Sequence, residues 1–268
     1  MKSSFFRLLL LSAFGATLFV ASCTKEKDNN YPDEEETMDP GPNPGDLGSV
    51  EFTYAGKTVT YTTVRANDGN IWLQQNLGAK RVAQAIDDEQ GYGDLFQWGR
   101  WADGHQVRTP APELMPASAL GANNNPAGLI ALGISAYINE WWSGGGTMDT
   151  WTAAKPEDVT ATNGCDPCKA LGEGWSMPSE SDWNNVIQEE DITNAASAFE
   201  SNLKIPCGGW RETNNLSLSG VGTSSWYWTK DATPVAAANG VWITNLTVYT
   251  SYKDDRSYGT SIRCIKKK

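Results

Sequence analysis

The chain is poor in histidine: His105 is the only one in 268 residues. That excludes a metal centre built on several imidazoles and any mechanism that passes a proton between two of them. His105 has no catalytic partner pattern near it and reads as a loop residue, so no catalytic residue, metal site or cofactor is assigned. Basic surface is scarce as well. Lys and Arg number 21 against 32 Asp and Glu, for a formal net charge of −11. Nucleic acid is excluded as a partner, because binding it needs a basic face that displaces counterions. The apolar run Leu8 to Val20 is too short to span a bilayer as a helix. The glycines Gly144-Gly145-Gly146 are not followed by Gly-Lys-[Ser/Thr], so they do not form a phosphate loop. Tryptophan is in excess instead: 12, against 9 Tyr and 7 Phe. Aromatic contact is therefore the chemistry to look for.

The first 22 residues read as a secretory signal peptide. Lys2 and Arg7 precede the apolar run, and Val20-Ala21-Ser22 places small residues before Cys23. That ending resembles the bacterial lipobox, in which the cysteine is lipidated and becomes the new N-terminus. Several acyl chains on Cys23 would anchor the protein stably in a membrane. Residues 23–48 carry the acidic run Asp33 to Glu36 with interspersed Pro and Gly and almost no apolar side chains. They are expected to be a flexible tether reaching roughly 25–30 Å. Lys25-Glu26 resembles the short charged signal that sends Bacteroidetes lipoproteins to the outer face of the outer membrane. The location expected is thus the outer membrane, lipid-anchored at the cell surface.

The folded domain is expected over residues 49–268. Val50, Phe52 and Tyr54 alternate on one side of a strand, and Ala55-Gly56-Lys57 turns the chain toward Val59 and Tyr61. Asn67 to Asn70 is a second turn, followed by Ile71-Trp72-Leu73. Residues 103–164 are broken repeatedly by Pro, Gly and Asn, with one short helix expected within 127–142. The clearest helix start is Pro178-Ser179-Glu180-Ser181-Asp182-Trp183, where Ser179 caps and Asp182 occupies the capping-box position. Strands are expected again at 225–229, 240–248 and 260–266.

Gly174-Trp175-Ser176-Met177-Pro178-Ser179-Glu180-Ser181-Asp182-Trp183 resembles the core motif of the Fibrobacter succinogenes major paralogous domain family. Trp72 to Leu77, Gly93 to Trp98, Asp166-Pro167-Cys168 and Ser261 to Cys264 fit the same pattern in order. The resemblance covers about residues 50–268 and makes 103–164 an insertion. It implies an α+β fold of C-type lectin-like type, with twisted antiparallel sheets, one or two helices and long loops. Such folds are shared with formylglycine-generating enzymes, but fold alone does not transfer activity.

Cys165, Cys168, Cys207 and Cys264 are an even set in an exported chain, which suggests two disulfides among three possible pairings. The resemblance implies Cys168 with Cys264, leaving Cys165 with Cys207. Asp87 to Glu89, Glu189 to Asp191 and Asp254-Asp255 read as solvated acidic clusters. Trp72, Trp175 and Trp183 are expected in the core. Trp141, Trp142 and Trp210 sit in or beside loop-like sequence and are the candidate ligand contacts, although Trp210 follows Gly208-Gly209 at an apparent strand start and is expected to be the more buried. The reading is a non-enzymatic surface module that binds a glycan or an extracellular protein. Its alternatives are a structural or adhesion component of the cell envelope, and an oxidase of the formylglycine-generating type or a hydrolase.

Overall fold

Strand β1 (Leu47–Tyr54) and strand β2 (Lys57–Arg65) form a hairpin in register from Leu47 opposite Val64 to Tyr54 opposite Lys57. Ala55 and Gly56 make the two-residue turn, both at positive φ, which matches the right-handed twist of the flanking strands. Val50, Phe52 and Tyr61 are buried on one face, as the alternation predicts. Strand β3 (Ile71–Leu73) pairs with β2. Near the C-terminus β10 (Ile265–Lys266) lies between β3 and β4 (Trp175–Ser176), which completes a five-stranded antiparallel sheet in the order β1-β2-β3-β10-β4. The computed structural model describes residues 38–109, 166–213, 215–233 and 237–268.

Helix α1 (Glu180–Glu189) starts at Ser179. The Ser179 hydroxyl accepts from the Asp182 backbone N–H, and the Asp182 carboxylate accepts in return from the Ser179 backbone N–H. Trp183 and Val186 bury its inner face, with Ile187 partly covered. A short helix α2 (Ala195–Glu200) follows under its own capping box at Asn194. The remaining strands are β5 (Trp210–Arg211) paired with β6 (Leu218–Ser219), and a three-stranded antiparallel sheet of β7 (Ser225–Ala232), β8 (Ala237–Ile243) and β9 (Val248–Asp255). The architecture is α+β, with mostly antiparallel sheets and two helices among the described residues. No helix there is long and apolar enough to cross a membrane.

The 3₁₀ turn Pro167–Leu171 is tied to β10 by a disulfide between Cys168 and Cys264, with Cα atoms 5.5 Å apart. Asp166 caps that turn. Fully buried, its carboxylate accepts backbone N–H groups from Cys168 at 2.9 Å and from Met177 at 2.9 and 3.1 Å. Trp72, Trp175 and Trp183 are in the core. Trp72 and Trp183 pack with ring centroids 5.1 Å apart, and Trp183 packs on Tyr227 at the same distance.

Four expectations change. The second bridge, Cys165 with Cys207, is not formed: Cys207 is a free thiol, 1 % exposed, and Cys165 lies outside the described residues. Burial beside Ile205 and the nearby Asp87 push its pKa up to about 11. The ordered domain starts before residue 49. Met38 pairs with Ser49, and Arg65 donates to the carbonyls of Pro40 and Gly41, so polar backbone rather than apolar burial fastens residues 38–48. The expected strand 240–248 is two strands. The Thr244 hydroxyl accepts the Leu246 and Thr247 N–H groups and folds the chain back into β9, which had not been expected. The acidic clusters are partly structural. The Glu190 carboxylate accepts the backbone N–H groups of Asn67 and Asn202, and Asp88 accepts those of Gln84 and Gln90. The leader, Cys23, the tether before residue 38, the 127–142 helix, Trp141 and Trp142 lie outside the described residues.

A candidate aromatic binding cleft

Alternation along Ser225-Trp226-Tyr227-Trp228 sends Trp226 and Trp228 to one face of the β7–β8–β9 sheet and Tyr227 to the other. Tyr227 faces Trp183 and donates its hydroxyl to Asn76 at 3.0 Å. Trp242 stands directly opposite Trp226 across the β7–β8 ladder, so it shares the Trp226 face. Strand β9 joins through a register irregularity. Gly240 opposes Tyr252 and Trp242 opposes Tyr249, which leaves Thr250 and Ser251 against Val241 alone. Simple alternation would put Tyr249 and Tyr252 on opposite faces. The bulge brings both against Trp242, with centroids 5.3 and 5.2 Å away.

Two further segments complete the cleft. Strand β5 carries Trp210, whose ring lies 6.1 Å from Trp226 and 6.0 Å from Trp242 and is near perpendicular to both, at 77° and 84°. Its indole N–H donates to Glu212 at 2.8 Å, which fixes the ring's orientation. Tyr258 approaches Trp226 from the segment after β9, at 5.0 Å. The result is a cavity of about 120 Å³. Trp226 is its floor, 3 % exposed, and the half-buried Trp210, Trp242, Tyr252 and Tyr258 are its walls. Glu212 and Asp254 complete the lining.

Two glycines make room for the indoles. A Cβ on Gly240 would sit 2.4 Å from Trp226 Nε1, and one on Gly220 would sit 2.3 Å from Trp210 Cζ3. Gly220 also has φ of +68°, a conformation costly for any residue with a side chain.

The cleft is electronegative. Burial raises the pKa of Asp254. Hydrogen bonds from the Asp255 backbone N–H and the Tyr252 hydroxyl draw it back, and the charge of Glu212 raises it again. Burial, then Asp254 and Glu212, raise Tyr252 and Tyr258. Among the described residues no basic side chain lines the cavity. Arg211, between Trp210 and Glu212, donates to the carbonyls of His105 and Val107. Lys253 alternates away from Tyr252 and Asp254 along β9. Arg256 lies over the Trp98 ring at 4.1 Å and donates to the Ala237 carbonyl at 3.0 Å.

Of the residues expected to bind ligand, only Trp210 falls in the described structure. It is half-buried, less enclosed than its place at a strand start suggests. The residues missed were Trp226, Trp242, Tyr252 and Tyr258. Their signal was the density of rings in 226–258, which reads equally as core.

His105 is a sealed structural residue. Its Nδ1 lies 2.6 Å from Asp103, and its Nε2 accepts the Gln97 backbone N–H at 3.0 Å. Burial and the neighbouring Arg100 push its pKa down to about 4 against the pull of Asp103. A larger cavity of about 400 Å³ holds Asp94, Arg108, Tyr92, Lys80 and Glu89, so its walls carry both signs of charge. Asp94 accepts the Tyr54 hydroxyl there at 2.7 Å, and burial raises its pKa to about 6 despite that bond and Arg108. Arg108 is committed to the backbone carbonyls of Gly93, Gly208 and Tyr92. Among the described residues no group of three or more His, Cys, Asp or Glu is arranged to hold a metal ion. No protein-family model, curated protein or solved structure matches this chain.

Proposed function

We propose that this chain is a lipid-anchored cell-envelope protein whose folded domain is a non-catalytic binding module for a glycan or an extracellular protein. The observation that carries this reading is the cleft between Trp210, Trp226 and Trp242. Five aromatic rings are drawn from five chain segments, β5, β7, β8, β9 and the stretch after β9, into one concave, solvent-facing feature. Rings used only for packing need not stay half-exposed around a cavity, whereas rings that anchor a ligand must. The domain belongs, in this reading, to the Fibrobacter succinogenes major paralogous domain family and has a C-type lectin-like fold. The Cys168–Cys264 bridge and the burial of the motif residues Trp72, Trp98, Trp175 and Trp183 support that assignment. Anchoring is through Cys23 in the outer membrane, facing the cell surface.

Two features argue against the thiol-dependent enzyme alternative. Cys168 and Cys264 are spent on a disulfide, and Cys207 is a buried thiol with a raised pKa, whereas reactive cysteines are exposed and acidic. The test is a glycan array and a peptide array probed with detergent-solubilised full chain, wild type beside Trp242→Ala. The wild type is expected to retain at least one ligand that the variant loses while still melting as a folded protein well above the assay temperature, at a midpoint lowered by the lost packing of the indole. Binding that survives the loss of Trp242 refutes this cleft as the site. Retention of nothing on either array favours the structural component.

A further inference from the structure

The cleft's shape and charge specify more than aromatic contact. Trp210 stands near perpendicular to both Trp226 and Trp242, and Tyr252 is tilted by 52° from Trp242. Such walls enclose a compact group. A sugar ring is held instead by a flat platform. The volume, about 120 Å³, corresponds to about four waters and falls below the roughly 300 Å³ at which pockets for whole small molecules begin. It suits the end of one slender chain.

Charge narrows the class further. Ring faces carry the negative lobe of the aromatic quadrupole and attract cations. Glu212 and Asp254 add two carboxylates, Asp255 follows directly, and among the described residues no base lines the cavity to answer them. Burial is the main reason Asp254, Tyr252 and Tyr258 are raised, and the neighbouring carboxylates add to it. An anion would be repelled by these carboxylates, and a neutral group would leave their charge unbalanced.

Resting on the binding reading above, we infer that the cleft captures an alkylammonium group, protonated or quaternary, carried by a lysine-like side chain of a protein partner. The positive group sits in this cavity against the half-exposed rings of Trp210, Trp242, Tyr252 and Tyr258. Glu212 and Asp254 supply the counter-charge at the rim. An amino sugar offers the same charge on a bulkier ring, which the narrow walls disfavour.

The test titrates full chain, in a detergent without choline, by following tryptophan fluorescence. Choline is compared with 3,3-dimethylbutan-1-ol, which has its shape without its charge. Choline is expected to bind saturably and at least about ten-fold more tightly. In the double variant Glu212→Gln, Asp254→Asn that advantage shrinks to about two-fold, while the weak binding of the alcohol is unchanged because the rings remain. Equal binding of the two probes, or a preference that survives the double variant, overturns the inference. A second arm compares a lysine-rich peptide, its fully acetylated form and glucosamine. Binding of the free peptide alone supports the protein source. Binding of glucosamine alone refutes it. A Trp242-dependent array ligand with no cationic group leaves the binding reading standing and removes the cation.

Discussion

Gly240→Ala places a methyl group where the cleft's floor now lies. Its Cβ would stand 2.4 Å from Trp226 Nε1, 3.1 Å from Trp226 Cδ1 and 3.0 Å from the Tyr227 carbonyl oxygen. The carbonyl belongs to a sheet ladder and has little freedom, so the indole must yield. It has nowhere free to go: Trp228, Tyr252 and Tyr258 hold it with centroids 5.0–5.3 Å away, and Trp210 stands at 6.1 Å. Overfilling a packed site of this kind costs about 1–3 kcal/mol. Replacing glycine also restricts the unfolded chain, which returns about 0.4–1 kcal/mol at a strand position with ordinary φ. The net expectation is a loss of about 1–2 kcal/mol, or a melting temperature lower by about 2–8 °C for a domain of this size. Gly56→Ala is the control. It sits at φ +77° with nothing within 4 Å of its new methyl, so any loss there is backbone strain alone. Thermal melts would show both variants destabilised. Near-ultraviolet circular dichroism should change in the tryptophan region for Gly240→Ala and not for Gly56→Ala. A Gly240→Ala protein that melts at or above the wild type, with its tryptophan signal intact, would refute the claim that the floor is rigid.

Replacing Cys168 and Cys264 by alanine opens a loop spanning 96 positions and is expected to cost about 4–5 kcal/mol on the chain-entropy account, read as the shift in urea midpoint; unreduced peptide mapping should recover that pair, with Cys207 alkylated only after denaturation. Acidification should weaken the wild type relative to His105→Gln. Below pH 6.5 the unfolded chain takes up a proton that the buried ring, with its pKa near 4, refuses, so about 3 kcal/mol is lost between those values in a pH series of urea melts. Parallel curves for the two proteins across that window would show that His105 already carries a proton in the folded state.

Local chemistry was written in the chain. Ser179 and Asp182 announce helix α1 because a cap and its reciprocal acid act within one turn. Ala55-Gly56 sets the β1–β2 register for the same reason, since a two-residue turn leaves one alignment open. Trp72, Trp175 and Trp183 could be placed in the core from their motif, and Cys168 with Cys264 from the family pattern. What the sequence did not reveal depends on contacts between distant segments. Arg65 fastening residues 40 and 41 is invisible in a stretch whose composition reads as disordered. The Thr244 turn and the bulge opposite Val241 decide which face Tyr249 and Tyr252 occupy, and a one-residue shift in pairing reverses that choice. Trp210 meets Trp226 and Trp242 only after β5 is laid beside the β7–β8–β9 sheet. An indole has the same composition whether it fills a core or walls a cleft. Its neighbours, brought from 16 and 32 positions away, determine which it becomes.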